Sequence, residues 1–234
     1  MSDKIIEVKG LPIIKFQKAK RIEQLRRGEM HMSSLRVYRE LATKSSEIGD
    51  DYEAALHINE ATAYITPING GGSTTMLPIN NELIKTIHSN GFVFCMFGVN
   101  SKSNHFQFNE EQKSKMLEFG DTALIITDSK EFHKRVRNAL VDKGISLENS
   151  HCGFVDYYDE AIDSADILFQ LMKGMHNIAF QKRKKYEYQH EYQFFIPNDD
   201  ESIDYLDLQI GDISDISEVI SSANVLKGFL SKSK

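Results

Sequence analysis

Short apolar stretches with the length of β-strands recur along the chain. Alternating or continuous apolar runs predict strands at 5–8, 92–99, 122–127, 154–158, 191–196 and 205–210. The run at 92–99 is apolar at almost every position, so we expect a central strand that is buried on both faces. Two more strands, at 54–58 and 63–66, are predicted to pair as a hairpin around Asn59-Glu60.

Other stretches have the three-to-four-residue apolar spacing of a helix with one buried face. This spacing predicts a helix from Phe16 to Leu25, ended by Gly28, and a short helix at 35–41 that Ser33 or Ser34 caps. Further helices are predicted at 110–118, 129–143, 162–172 and 219–230. The fourth of these helices, at 129–143, begins after Asp128, with Glu131 three residues later in the spacing of a capping box, and Gly144 marks its end.

Strands and helices follow one another without the regular βαβ alternation of a parallel sheet. This order favours an α+β fold with a mainly antiparallel sheet and flanking helices. The chain of 234 residues has no repeat and no linker-like segment, so we expect a single domain over 1–234.

The charge and hydropathy of the chain narrow the classes of function. A net charge of −6 disfavours unspecific nucleic-acid binding but does not exclude nucleic acid as a partner. Two basic stretches, 15–27 and 182–185, are interpreted as solvated helix faces. No apolar run reaches the roughly 18 residues of a membrane span, and no apolar signal core follows Met1. We therefore expect a soluble, cytoplasmic protein with two reduced cysteines, Cys95 being a buried one.

The polar residues near the C-terminus are the strongest candidates for a site. Motifs for phosphate-binding loops, dinucleotide-binding turns, zinc proteases and nucleophilic serines are all missing from the sequence. In an extended strand, Glu187, Gln189, Glu191 and Gln193 share one face. This pattern predicts a pocket floor on which the carboxylate of Glu191 lies beside the amide of Gln189.

Several short motifs resemble those of a bacterial and phage domain family of unknown function. That family combines an N-terminal acidic segment with a C-terminal block in which Lys and an aromatic residue precede Glu-x-Glu-x-Arg. The matching segments here are 49–53, 94–97, 119–121, 155–157 and 182–193. Gln189 stands where the family has its first Glu, and Gln193 stands where it has Arg. The resemblance implies a microbial accessory protein of a phage or defence system.

A second resemblance is to mono-ADP-ribosyltransferases, which carry an early Arg, a Ser-Thr-Ser-like strand start and a late Gln-x-Glu or Glu-x-Glu. The matching residues, in chain order, are Arg36 or Arg39, then Ser73 and Thr74, then Gln189 and Glu191. The resemblance implies NAD as cofactor. Glu191 would stabilise the oxocarbenium ion, Gln189 would orient the acceptor, and Arg39 or Arg36 would hold the pyrophosphate. The acceptor would be a macromolecule, either a protein or a nucleic acid.

Two other functions remain open at this stage. The cluster Tyr186, Tyr188 and Tyr192 beside the basic run is typical of a contact surface, which favours a non-catalytic factor that binds a protein partner. Asp50, Asp51 and Glu53, if they converge with Glu191, favour a metal-dependent nuclease or nucleotide hydrolase, because Mg²⁺ prefers oxygen ligands.

Overall fold

The computed structural model of the chain describes residues 5–42, 55–56, 61–65, 75–79, 87–88, 90–99, 105–159 and 175–233. The strands in these ranges are β1 Ile5–Val8, β2 Ile13–Gln17, β3 Glu29–Ser34, β4 Ala55–Leu56, β5 Ala61–Ile65, β6 Thr75–Ile79, β7 Ile87–His88, β8 Gly91–Gly98, β9 His105–Phe106, β10 Thr122–Ile126, β11 His151–Phe154, β12 Asp156–Tyr158, β13 Gln181–Arg183, β14 Glu191–Pro197, β15 Tyr205–Gln209, β16 Ser217–Ser221 and β17 Phe229–Ser233. The α-helices are α1 Ala19–Arg26, α2 Leu35–Ala42, α3 Glu110–Lys115, α4 Ser129–Asp142 and α5 Ser222–Val225. Short 3₁₀ helices span Met116–Phe119, Leu147–Asn149, Met175–Phe180, Lys184–Gln189 and Ser214–Ile216.

An eight-stranded sheet forms the centre of the fold. Its main path runs β11-β14-β8-β2-β10-β16, and β3 joins β8 to β15. All of these pairs are antiparallel. The predicted α+β fold with a mainly antiparallel sheet and flanking helices is therefore confirmed. None of the helices in the described ranges has both the length and the apolar character that a bilayer crossing requires.

Strand β8 pairs with a single strand along one edge and with two different strands at the two ends of its other edge. Along one edge it pairs with β14 over the whole length of both strands, from Gly91 opposite Pro197 to Phe97 opposite Glu191. On the other edge, β2 pairs only with Phe97 and Gly98, while β3 pairs only with Phe92 and Val93. The sheet therefore forks at residues 94–96, and α1 connects the two diverging strands.

Apolar side chains cover both faces of the sheet. On the first face, α1 and α4 pack against the sheet with Ile22, Leu25, Phe132 and Val136 in a single large cluster. The second face carries two smaller clusters, one around Ile14, Phe16 and Phe97 and the other around Leu35, Val93 and Phe195. Cys95 lies between Val93 and Phe97 on this second face, because alternate residues of a strand point the same way. A polar zone therefore separates the two clusters of the second face.

The caps of the longest helix follow the predicted pattern. The Asp128 carboxylate accepts a hydrogen bond from the backbone N–H of Glu131 at 3.0 Å, which satisfies a donor that the first turn leaves free. Gly144 follows α4 with φ +73°, as expected of a helix-ending glycine. The predicted helix at 162–172 lies outside the described residues.

The predicted last helix at 219–230 is wrong. Residues Ser217–Ser221 form β16, which pairs along the free edge of β10, and only Ser222–Val225 are helical before β17 begins. Val219 and Ile220 are β-branched, and an open edge of the central sheet satisfies their backbone groups. The first helix also starts later than predicted, since Phe16 belongs to β2.

The predicted hairpin around Asn59-Glu60 is also wrong. Strand β4 pairs with β7, and β5 pairs with β6, so 55–56 and 61–65 are not partners. The hairpin was predicted from the residues of a local turn. Both strands instead pair with segments that lie further along the chain.

A close approach of two backbone segments makes Gly28 a sensitive position. It has φ +98°, and a Cβ there would lie 2.4 Å from the carbonyl oxygen of Gly211. Gly144 has a similar φ of +73° but open space around the position of a Cβ. The two positions share the same backbone strain and differ in the steric clash.

We expect Gly28→Ala to lower the free energy of unfolding by about 2–5 kcal/mol, because it combines left-handed strain with overpacking against backbone. The matched variant Gly144→Ala should cost only about 1–2 kcal/mol, since it carries the strain alone. Urea titrations of the two variants measure the difference. Equal losses would mean that the Gly28–Gly211 contact is not tight in solution.

Candidate functional site

A cavity of about 100 Å³ lies at the fork of the sheet, where β2 leaves β8. Its wall is mostly apolar, but six polar side chains and one thiol also contribute. The lining residues are Ile14, Lys15, Phe16, Gln17, Tyr38, Cys95, Met96, Phe97, Met116, Phe119, Lys182, Gln189 and Glu191. An apolar cavity on which a few polar groups converge is the usual form of a small-molecule site.

A buried ion pair forms the polar wall of the cavity. The Lys182 Nζ lies 2.8 Å from Glu191 Oε1, and each side chain is only 8% exposed. The same ammonium donates a hydrogen bond to Gln189 Oε1 at 3.2 Å. Burial makes each charge depend on its partner, because an unpaired charge in such surroundings is strongly unfavourable.

The second carboxylate oxygen of Glu191 is in a different situation. Oε2 is buried and has no hydrogen-bond partner among the described residues. A buried carboxylate oxygen without a partner is rare and costly in a folded protein. Glu191 lines the cavity, and its buried Oε2 keeps an unused capacity to accept a hydrogen bond or a proton.

Lys15 brings an amine to the fork from the opposite side. Its Nζ donates a hydrogen bond of 2.6 Å to the carbonyl oxygen of Cys95, in the segment of β8 that neither β2 nor β3 pairs. It also lies 4.5 Å from the centre of the Phe94 ring. Burial lowers the pKa of Lys15 below its ordinary value, although the nearby Cys95 and Glu191 charges oppose this effect. A lowered pKa increases the fraction of neutral, nucleophilic amine at a given pH.

A tight turn brings Gln189 and Glu191 to the same cavity. The 3₁₀ helix Lys184–Gln189 ends at His190, whose φ of +43° is left-handed, and β14 starts immediately after it. The His190 Nδ1 is hydrogen-bonded to the Gly98 carbonyl oxygen, and the Gly98 N–H donates to the His190 carbonyl oxygen at 2.9 Å. These two bonds tie the turn to the end of β8.

Lys182 is positioned by a separate pair of strands. Strand β13 lies parallel to β12, with Lys182 opposite Tyr157. The Tyr157 hydroxyl accepts a hydrogen bond from the Glu191 backbone N–H at 2.9 Å. Burial, together with the nearby Glu191 charge, raises the pKa of Tyr157, so this hydroxyl stays protonated at neutral pH. Tyr157 therefore links β12 to the start of β14 without carrying a charge.

A larger cleft of about 690 Å³ adjoins the cavity and shares Lys15, Gln17 and Tyr38 with it. Helix α1, helix α2 and strands β3 and β15 supply most of the remaining lining, including Arg21, His31 and Asp207. The His31 Nδ1 lies 2.6 Å from Asp207 Oδ1 in this wall. The cavity and the cleft together offer a volume in the range of typical small-molecule sites.

The residues predicted from the sequence separate into two groups in space. Gln189 and Glu191 both line the cavity and both contact Lys182. Arg36 and Arg39 lie on α2, and neither lines the cavity. Arg36 is ion-paired with Asp204 and Glu40, and Arg39 donates a hydrogen bond to Asn90 Oδ1 at 3.2 Å.

Ser73 and Thr74 lie outside the described residues, as do Asp50, Asp51 and Glu53. Within the described ranges, no group of three or more His, Cys, Asp or Glu side chains is arranged to hold a metal ion. The three metal-site carboxylates predicted between 50 and 53 thus stay predictions, and Glu191 is paired with a lysine.

The interpretation of the aromatic and basic segment as a surface is wrong for most of its residues. Tyr186 and Tyr188 are each only 4% exposed and belong to an apolar cluster of the second face, while Tyr192 is half-buried. In the basic run, Lys182 and Arg183 are buried in β13, and only Lys184 and Lys185 are exposed. The pairing of β13 with β12 draws the first half of the run inside. Glu187 is exposed on the 3₁₀ helix, so it does not share a strand face with Glu191.

Sequence reasoning missed the two lysines of the site. Lys15 was assigned to a solvated helix face, but it lies in β2 between the buried residues Ile14 and Phe16. A single lysine inside the apolar run Ile13-Ile14-Lys15-Phe16 was a signal that could have found it. Cys95, predicted to be buried, is only partly buried, and its thiol lies 3.6 Å from Gln193 Oε1.

We expect Lys182→Met to lower the free energy of unfolding by about 3–5 kcal/mol, because it leaves the Glu191 carboxylate buried without its counter-charge. The double variant Lys182→Met/Glu191→Met should regain most of this loss, since both charges are then removed. Lys185→Met, at an exposed position of the same segment, should change the free energy by less than about 1 kcal/mol. Chemical denaturation of the four proteins measures these differences. A double variant as unstable as the single one would contradict a direct dependence of one charge on the other.

Comparison of the chain with protein-family models, with curated proteins and with solved structures finds no match.

Proposed function

We propose that the cavity at the fork is the active site of an enzyme that acts on a small aldehyde or ketone through an imine with Lys15. The observation that carries this proposal is that the half-buried Lys15, whose pKa is lowered, lines the same cavity as Glu191, whose Oε2 has no hydrogen-bond partner among the described residues. Desolvated lysines in largely apolar pockets are usual nucleophiles of imine chemistry, and burial is the cause of the lowered pKa of Lys15.

The roles of the residues follow from the chemistry of imine formation. The neutral amine of Lys15 attacks the carbonyl carbon, a C–N bond forms, and the carbonyl electron pair moves to the oxygen. Glu191 accepts the first proton that the nitrogen loses and passes it to the oxygen, which becomes a hydroxyl. Glu191 then takes the second nitrogen proton and delivers it to this hydroxyl, which leaves as water while the C=N bond forms. Lys182 holds the carboxylate in place through Oε1 and leaves Oε2 for the proton.

The shape of the site supports a substrate with a compact carbonyl end. The cavity has room for only a few non-hydrogen atoms beside Lys15, and its wall is apolar at Phe97, Met116 and Phe119. The adjoining cleft shares Lys15 with the cavity and has mixed polar lining. We infer that the reacting carbonyl enters the cavity, while the rest of the substrate lies in the cleft.

Reductive trapping tests this proposal. Small aldehydes and keto acids are incubated with the protein and sodium cyanoborohydride over a range of pH, and the modified lysines are mapped by mass spectrometry. Because the neutral form of an amine increases as pH rises through its pKa, the lowered pKa of Lys15 predicts modification at lower pH than for exposed lysines. Lys15 should react at least about tenfold faster than Lys18 at neutral pH.

The variants separate the roles of the two groups. Glu191→Gln should slow the trapping on Lys15 by about 10²-fold or more, because the proton acceptor is lost. Glu187→Gln, an exposed neighbour, should leave the rate unchanged. Modification spread evenly over the exposed lysines, with Lys15 among the slowest, would rule out the amine as the nucleophile.

A second candidate function is transfer of ADP-ribose from NAD. The observation in its favour is that Glu191 lies in a cavity beside Gln189, as a carboxylate facing an oxocarbenium ion requires. The anchoring role proposed for Arg36 or Arg39 has less support, because Arg36 is held by Asp204 and Glu40 and neither arginine lines the cavity. Lys182 also places positive charge next to the carboxylate, which opposes formation of a cation there.

Incubation of the protein with NAD labelled in the adenosine half, with and without cell lysate, distinguishes the two candidates. ADP-ribosyl transfer predicts labelled macromolecules or free ADP-ribose, lost in Glu191→Gln and retained in Glu187→Gln. It also predicts that Lys15→Met keeps the activity, whereas imine chemistry is abolished by that change. No turnover of NAD by the wild-type protein would remove this candidate.

A further inference from the structure

A second cluster of reactive side chains lies on the opposite face of the sheet. Strand β11 pairs with β14 so that Cys152 lies opposite Phe194 and Phe154 lies opposite Tyr192. Cys152 therefore points to the same face as Phe194 and Tyr192, and away from Glu191 and Gln193. Its side chain is exposed, and Cys95 is the other cysteine of the chain.

Helix α4 supplies a histidine to this cluster. The His133 ring lies 5.1 Å from the ring of Phe194, the residue opposite Cys152, and 5.7 Å from the ring of Tyr192. Its Nδ1 is hydrogen-bonded to the Ser129 carbonyl oxygen one turn earlier. A carbonyl oxygen only accepts, so Nδ1 carries a proton and Nε2 faces the sheet. Nε2 lies 2.8 Å from the Tyr192 hydroxyl.

The arrangement is that of a thiol with an oriented base. The Ser129 carbonyl fixes the histidine ring, and the ring's Nε2 is directed to the edge of β14 where Cys152 and Tyr192 are diagonal neighbours. The hydrogen bond with His133 lowers the pKa of the Cys152 thiol below its usual value, against the effect of burial. Burial alone would lower the pKa of His133, but its hydrogen bonds with Cys152 and with the Ser129 carbonyl raise it. Both shifts favour a thiolate–imidazolium pair.

We propose that Cys152 is a modification site that reacts with hydroperoxides, with His133 as its base. His133 accepts the thiol proton. The sulfur attacks the hydroxyl oxygen of the peroxide, an S–O bond forms and the O–O bond breaks. The departing hydroxide or alkoxide takes the proton from His133 and leaves as water or an alcohol. The sulfur is oxidised by two electrons to a sulfenic acid, and the peroxide is reduced.

The fold keeps the sulfenic acid of Cys152 from forming a disulfide with Cys95. Cys95 lies on β8, two strands from β11, and on the other face of the sheet. Two strand spacings amount to roughly 10 Å, beyond the separation of about 7 Å that a disulfide tolerates. The sulfenic acid of Cys152 is therefore left for a small thiol or for a chemical trap.

The wild-type protein provides the first test. Iodoacetamide alkylation of Cys152 and Cys95 is followed by mass spectrometry between about pH 5 and about pH 9, because only the thiolate reacts. The groups that face Cys152 in the described ranges are His133 and Arg137 of α4 and Tyr192 of β14, and all of them favour the thiolate. The alkylation rate of Cys152 should level off well below the value of about 8.5 that is usual for a free thiol. A profile that rises through or above that pH would overturn the proposal without any variant.

Peroxide at equimolar concentration, with dimedone present, provides the second test. Dimedone should label Cys152 and not Cys95. His133→Asn should move the alkylation profile of Cys152 to higher pH and slow the dimedone labelling by about tenfold or more. His151→Asn is the matched control, because His151 precedes Cys152 in β11 but stacks on Phe195 of the other face. Equal effects of the two histidine variants, or the lack of a dimedone adduct in the wild type, would contradict the assignment.

Discussion

The backbone of β8 must be satisfied along an edge that no single strand covers. Each buried carbonyl group needs a hydrogen-bond donor, and between residues 94 and 96 the diverging strands β2 and β3 supply none. The side-chain amine of Lys15 fills this need at the carbonyl of Cys95. The Lys15 side chain therefore satisfies a backbone carbonyl that a neighbouring strand would otherwise satisfy. The gap between the diverging strands is the cavity, and Lys182 and Glu191 lie in its wall.

The polar zone of the second face follows from that fork. Because Lys15 brings a hydrogen-bonding amine towards the centre of the sheet, acidic and amide groups of β14 and its preceding turn can lie inside without being isolated from other polar groups. The fold still has to supply Lys182 to balance Glu191, and it does so with a separate two-stranded element. The site therefore depends on segments that lie far apart in sequence, at 15, 95, 182 and 191, and that meet only when the central sheet is complete.

Sequence patterns located the elements with strong local signals. Strand β8 was predicted because it is apolar on both faces, and α4 because Asp128 and Gly144 mark its ends. Glu191 was predicted to lie in a pocket beside Gln189, and both residues line the cavity. The partners of the strands were not predictable, since β4 and β5 pair with later segments and not with each other. The lysines were missed for a related reason. A charged residue is normally exposed, and only the long-range pairing of β2 and β13 shows that Lys15 and Lys182 are not.

The side chains of β14 differ between the two faces of the sheet. The polar residues Glu191 and Gln193 lie on one face, and the aromatic residues Tyr192 and Phe194 lie on the other. Its side chains change faces with every residue. A single-residue deletion or insertion within this strand would therefore exchange the two sets, moving the carboxylate among the rings around His133 and a tyrosine or phenylalanine beside Lys182. In evolutionary terms, the strand is expected to tolerate substitutions of its apolar residues far better than any change in its length. A shift in register by one residue would displace the polar residues of one face and the aromatic residues of the other at the same time.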